Sequence, residues 1–512
     1  MNNETAFGWR ALDLGDSSGL DFLGLAAPIE GILDAETSGI TNATARARYF
    51  SLVPWYYWKY ATQPGDGSSR DQRQFVIGFE MLLAYANIAW LEQSGTTTSG
   101  IIRRDLCEKM WKAGGDRLPI RGEGVGDTPS PLDAALYGPS LRRLGLLGKH
   151  GQLHSCRVAG QLMAEELEKS LGSLPGLSSL FESNSIDRET VKQWAPLLAL
   201  GRTLPQENQL LRNLLFSAGE FETERLPPRV ESFILMLCLA ASGDNWFRAR
   251  DFELALALGH DLKGVAFAVD PPLHEAWSHW RILSVLKFLR HASELAFAAV
   301  HSYVRAAPRS FQSAESAAMK LIAITIQLFE STEATPPKCF RDVVEPFLGG
   351  MTPPDWKPPA DFPQEMLRHA VKIAAWCESI ILREPADGVM QDDMVRVGQG
   401  LDADLAGYAE QLQGLLDQPL EVGLRWLLVD RGIARHFQVA ARKLVQHDTF
   451  RLIEDEGGVT ATSSCPVADV AIRIDSMLSL LADVQLLETG DHGYRSSSET
   501  ETWYRSQIAR LE

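Results

Sequence analysis

The chain has 512 residues, and its 49 Lys and Arg against 66 Asp and Glu leave a formal net charge of −17. An apolar fraction of 45% with 9% aromatic residues excludes wholesale disorder, and the length predicts several domains rather than one core. The acidic balance excludes a protein that coats nucleic acid broadly, because phosphate binding needs an excess of Lys and Arg.

The six cysteines (Cys107, Cys156, Cys238, Cys339, Cys377 and Cys465) are scattered without a CxxC pair, and several lie in apolar helical runs. That usage predicts a reducing compartment and no disulfide framework. The first residues, MNNETAFGWRALDLGDSSG, have neither a basic n-region nor an apolar h-region, and no run reaches the roughly 18–20 apolar residues of a bilayer span. The expected location is the cytoplasm, with no membrane partner.

In chain order, residues 1–39 read as Gly- and Asp-rich loop with short helices. Seven of the twelve residues from Tyr49 to Tyr60 are aromatic. This cluster follows Arg46 and Arg48, on a helix that Pro54 should kink or restart. It reads first as core, and second as a stacking platform with the two arginines beside it. Residues 72–92 carry Phe75, Phe79, Leu82, Leu83 and Ala86 on one helical face, and 99–113 form another helix.

Residues 134–164 contain no acidic side chain but hold Arg142, Arg143, Lys149 and Arg157. A short helix begins at Gly138-Pro139 and closes at Leu-Gly-Leu-Leu. A Gly-bounded polar turn and a second helix follow. That order is the layout of a winged helix: a recognition helix, a two-stranded wing and a supporting helix. The short first helix and the acidic background weigh against base readout and favour docking to a protein or a phosphate backbone.

Residues 186–345 are helical by pattern. The stripe Ile282, Val285, Leu289, Ala292, Ala296, Ala299 and Tyr303 predicts one long helix buried on more than one side. Five prolines in 349–363 predict a semi-rigid linker. Helices resume at 364–383, 403–416 and 422–446, a strand–turn–strand lies at 449–462, and a helix covers 467–487.

The expected fold class is mainly α, a multi-domain helical protein with one or two winged-helix-like modules. Its expected segments are an N-terminal helical region (1–94), a winged-helix-like module (95–170), a helical domain (171–348), the linker (349–363), a C-terminal helical region whose hairpin forms a second such module (364–488), and a mobile tail (489–512).

Motifs of chemistry are sparse. His274 and His279 stand five apart, roughly 140° around a helix, and cannot converge on one metal ion. Gly122-Glu123-Gly124-Val125-Gly126 follows no strand and lacks the Gly-Lys-Ser/Thr of a P-loop. Asp392, Asp393, Asp402 and Asp404 read as solvated helix starts. No catalytic residue, cofactor or metal is assigned. Arg142, Arg143, Lys149, Arg157, Arg46 and Arg48 are the expected contacts to a partner protein or to phosphate, with DNA reachable through a local basic face.

The segment Gly39-Ile40-Thr41-Asn42-Ala43-Thr44-Ala45-Arg46-Ala47-Arg48-Tyr49-Phe50-Ser51-Leu52-Val53-Pro54-Trp55 resembles the opening of uncharacterised bacterial proteins, some encoded in anti-phage defence islands. The resemblance implies a bacterial origin and a defence role, and brings no catalytic residues. The layout of a helical middle with winged-helix ends is similar to kleisin-type subunits of chromosome-structuring complexes, which dock on partner ATPases. The function expected is a non-enzymatic interaction subunit. The alternatives are a nuclease or other enzyme whose site assembles only in the fold, and a DNA-binding regulator.

Overall fold

The computed structural model describes residues 21–62, 67–95, 99–122, 125, 137–150, 153–172, 174, 183–217, 227–243, 245–348, 353–355, 357–358, 361–383, 406–443, 449–462, 465, 467 and 472–511. Most of the glycine loop at 122–126, and all four of Asp392, Asp393, Asp402 and Asp404, lie outside them. The protein is mainly helical, with four two-stranded antiparallel sheets among the described residues. It divides into two compact units, one of residues 1–32 and 278–470, the other of 33–277 and 471–512. The proline-rich segment therefore falls inside one unit instead of separating two.

After α1 (Ala26–Glu36), the second unit is built on α2 (Tyr49–Ala61) and α3 (Ser69–Ser94). Ser68 caps α3 by accepting from the Asp71 N–H, and Gly95, at φ +70°, closes it in the left-handed conformation. Helix α3 is long and apolar enough to cross a membrane by length and composition, and 83% of its most apolar window is buried inside the protein. The aromatic run is core. Tyr49, Phe50, Trp55, Tyr56 and Tyr57 are buried, and Trp55 meets Phe79 edge-on at 5.3 Å. Helix α2 runs through Pro54 without interruption.

The same unit contains α4 (Arg104–Lys112) and the ladder of β1 (Arg117–Pro119) with β4 (Ser185–Asp187). Between those strands lie α5 (Gly138–Arg143), the hairpin of β2 (Leu147–His150) and β3 (Leu153–Cys156), and α6 (Val158–Leu171). Helices α7 (Arg188–Leu198), α8 (Pro205–Leu215), α9 (Pro228–Ser242) and α10 (Ala249–Leu258) follow.

The other unit holds α11 (His274–Ala306) from Ser278 onward, α12 (Ala314–Thr332), α13 (Phe340–Leu348) and α14 (Pro363–Arg383). Phe288 of α11 packs on Trp376 of α14 with ring centroids 4.6 Å apart. α15 (Ala406–Leu415) and α16 (Leu420–Arg425) follow, and a π-helical stretch from Trp426 to Ala434 joins α16 to α17 (Arg435–Lys443). His436 on it is fully buried; its Nδ1 bonds the Phe22 carbonyl, and its Nε2 accepts the Arg451 N–H. Burial pushes this imidazole down to about 4, so it stays neutral, with the proton on Nδ1. The expected strand–turn–strand is present as β5 (Leu452–Asp455) and β6 (Gly458–Ala461).

The C-terminal residues correct the expectation of a mobile tail. In the second unit, α18 (Ile474–Asp483) leads into a hairpin of β7 (Leu487–Gly490) and β8 (Gly493–Ser496), and α19 (Thr500–Leu511) follows.

Candidate functional site

Three hairpins share one register, four residues paired with four and two residues of sequence between the strands. In each, the second residue of the returning strand has its outward N–H and C=O taken by a third element. Tyr494 exchanges backbone bonds of 2.8 and 2.9 Å with Phe247, just before α10. Val459 donates to the Phe311 carbonyl and accepts from the Arg309 N–H, just before α12. His154 is served by a side chain: the Gln72 amide accepts its N–H at 2.9 Å and donates to its carbonyl at 2.8 Å.

The glycines follow from this. Gly493 and Gly458 have φ of +116° and +106°, and a Cβ on either would stand 2.2 or 2.5 Å from the carbonyl oxygen of the docked strand. Where a slim amide docks in place of a backbone, the equivalent residue is Leu153.

The N-terminal and C-terminal hairpins belong to matching modules. Leu141, Leu144, Leu146 and Leu147 are buried, and Leu481, Val484, Leu486 and Leu487 repeat their spacing and their burial. Both leading helices end alike: Leu146 N–H bonds Leu141 O and Gly145 N–H bonds Arg142 O, as Leu486 does to Leu481 and Gln485 to Ala482. The left-handed residue is Gly145 in one and Gln485 in the other. The following helix then meets the same carbonyl. A Cβ on Gly160 would lie 2.0 Å from the Leu146 oxygen, whereas Thr500 Oγ1 donates to the Leu486 oxygen at 2.6 Å.

The expected contact residues separate on this scaffold. Arg143, Lys149 and Arg157 are exposed on the N-terminal module and Arg142 is half-buried; Arg143 forms an exposed pair with Asp34 at 3.3 Å. Arg157 lies along β2, its Nε 3.5 Å from where a Cβ on Gly148 would stand.

Arg48 corrects the expectation. It is fully buried, its Nε donates to both Glu207 oxygens at 3.1 and 3.2 Å, and its two amino groups donate to the Ala199 and Leu197 carbonyls at 2.6 Å. A guanidinium committed this way joins α2 to the α7–α8 connection and reaches no partner. Arg46 is mostly buried and pairs with Asp483 at 2.7 Å.

Arg46 and Asp483 also line a cleft of about 820 Å³ with Arg248, Asp475, Ser479 and Tyr494. Two of its charges, those of Arg46 and Asp483, pair with each other. The Tyr494 hydroxyl donates to Asp475 at 3.0 Å and bonds the Ser479 hydroxyl at 2.8 Å. Burial pushes the Asp483 carboxyl up to about 6, although Arg46 and the Ala47 N–H draw it down. Among the described residues no group of three or more His, Cys, Asp and Glu could hold a metal ion.

No family model, no curated protein and no solved structure matches this chain.

Two residues absent from the sequence expectation stand out on the N-terminal module. Val158 is 72% exposed and Leu162 59%, one turn apart on α6. The inward stripe of α6 is Gly160, Met163, Ala164, Leu167 and Leu171. At about 100° per residue, Val158 and Leu162 point roughly 160–200° away from it. That displacement is readable from the sequence once the stripe is drawn.

Proposed function

We propose that the chain is a non-enzymatic interaction subunit of a bacterial multi-protein complex. Its helix–hairpin–helix segments act in it as winged-helix-like modules that dock protein. The observation that carries this is the character of the helix in the reading position. In the C-terminal module α18 contains no Lys or Arg and its outward residues are Asp475, Ser479 and Ala482, a face without the cations that phosphate contact needs. In the N-terminal module α5 is only 6 residues long and its Arg143 is paired with Asp34, too little for base readout in a major groove.

A supporting role fits the third-strand pairing. Phe247 and the Arg309–Phe311 segment precede α10 and α12, as the first strand of a winged helix precedes its second helix. A defence-associated assembly is the setting that the N-terminal resemblance favours.

Co-expression with the products of adjacent genes, followed by size-exclusion chromatography with light scattering, tests the reading. A stoichiometric complex is expected. A chain that elutes alone but binds duplex DNA, with log affinity falling at a slope of about −0.9 per phosphate contact against log salt, would be a DNA-binding regulator.

A further inference from the structure

We infer that the Val158–Leu162 face of α6, with Arg157 and Lys149 at its N-terminal end, docks an acidic amphipathic segment of a partner protein. This names the partner's chemistry and rests on the reading above.

The C-terminal module acts as an internal control. Its residues at the corresponding positions are Ser498, two residues ahead of α19, and Thr502 on α19, both exposed and both polar. The architecture therefore forms without apolar side chains at these two places, and nothing in the packing of α6 calls for them. An apolar pair held in water one helical turn apart is the spacing that an amphipathic partner helix matches, anchor against anchor.

Charge selects the occupant. The hairpin end of the face presents Arg157 and Lys149 within the acid-free stretch 134–164, where the C-terminal module has Ser497 and Thr489. The α6 N-terminus adds a partial positive charge at the same end. Farther along, the acids are engaged within the helix: Glu165 accepts from Gln161 at 2.8 Å and Glu166 from Lys169 at 3.1 Å. A segment with two leucine-like anchors and carboxylates toward Arg157 and Lys149 meets both features. A nucleic acid would use the cations and leave Val158 and Leu162 in water.

The test uses the full chain and fluorescence anisotropy. The probe is a labelled helical peptide with leucines one turn apart and glutamates elsewhere. Its counterpart carries lysine for glutamate. The variants are V158S/L162T, which installs the residues of the C-terminal module, and R157S. The glutamate peptide is expected to bind the wild type, and to bind V158S/L162T at least about tenfold more weakly. R157S should weaken binding and flatten its salt dependence. V158S/L162T should melt close to the wild type, since both side chains are exposed; R157S removes a side chain that lies along β2 and places Ser at the N-cap of α6, so its binding is compared at a temperature where its own melting curve shows it folded. Equal binding of the double variant, or equal binding of the lysine peptide, overturns the inference. So does a self-associated chain that V158S/L162T dissociates, which would make the occupant a second copy. If a co-expressed partner stays bound to V158S/L162T, this face is wrong while the subunit reading stands; if no partner binds the wild type, that reading fails.

Discussion

Gly160→Ala pits helix propensity against packing, and the structure decides the sign. At an unobstructed helical position, alanine gains about 1 kcal/mol over glycine. Here the new Cβ would stand 2.0 Å from the Leu146 carbonyl oxygen and 2.9 Å from its carbon, both backbone atoms that no rotamer change can move. Ordinary van der Waals contact needs about 3.4 Å, so α6 must retreat by more than an ångström. The Leu146 oxygen also accepts the Arg157 N–H at 3.0 Å, and the retreat stretches that bond. Overpacking of this kind costs about 1–3 kcal/mol and a weakened hydrogen bond about 1 more. The net expectation is a loss of about 1–3 kcal/mol, or several degrees in Tm at roughly 2–4 °C per kcal/mol. Calorimetry would measure it beside Gly414→Ala, a position with nothing within 4 Å of a Cβ, where a small gain is expected. A Gly160→Ala chain that melts at or above the wild type would refute the close approach of α6 to the hairpin.

Two further outcomes follow from buried charge. Glu378 on α14 is fully buried, neither carboxylate oxygen has a hydrogen-bond partner among the described residues, and burial pushes its carboxyl up to about 7. Its folded pKa exceeds the unfolded 4.5, so its contribution is complete below pH 4.5 and is lost as pH rises through 7; Glu378→Gln should match the wild type near pH 4.5 and exceed it by up to about 3 kcal/mol at pH 8 in urea melts. Arg48→Met leaves Glu207 buried without its cation and should cost about 3–5 kcal/mol, whereas the double variant Arg48→Met/Glu207→Gln should recover much of that loss; a single variant that folds normally would restore Arg48 as a candidate contact residue.

Helix positions were largely legible from apolar spacing because burial and periodicity coincide along most of the chain. The hairpins at 147–156 and 452–461 were legible too, with short apolar strands bounding polar turns. The hairpin at 487–496 was not. Leu-Glu-Thr-Gly-Asp-His-Gly-Tyr-Arg-Ser holds one buried apolar residue, Leu487, and its order comes from Phe247, far away in the chain. Arg48 failed for a similar reason. Next to an aromatic run an arginine reads as part of a ligand platform, and the acid that neutralises it, Glu207, lies 159 positions on. Long-range partners of single polar groups leave no periodic trace in a sequence. The acid-free stretch was legible as charge, yet its meaning depended on exposure: Arg143, Lys149 and Arg157 reach solvent, and Arg142 is half covered.

The paired modules also separate what the architecture requires from what one copy adds. Both need the buried Leu-x-x-(Leu/Val)-x-Leu-Leu spacing and a left-handed residue after the leading helix. Both bring the trailing helix onto one carbonyl oxygen, by a bare glycine in the first and a threonine hydroxyl in the second. Those features close the leading helix and seat the trailing one in both modules. Val158, Leu162, Arg157 and Lys149 belong to the other class, since the C-terminal module keeps the hairpin and trailing helix with Ser498, Thr502, Ser497 and Thr489 at the corresponding positions. Exposed apolar side chains with no packing role favour aggregation unless something covers them. Two such side chains beside two cations, at one end of one module in a chain of net charge −17, are what the proposed docking of an acidic amphipathic segment would cover.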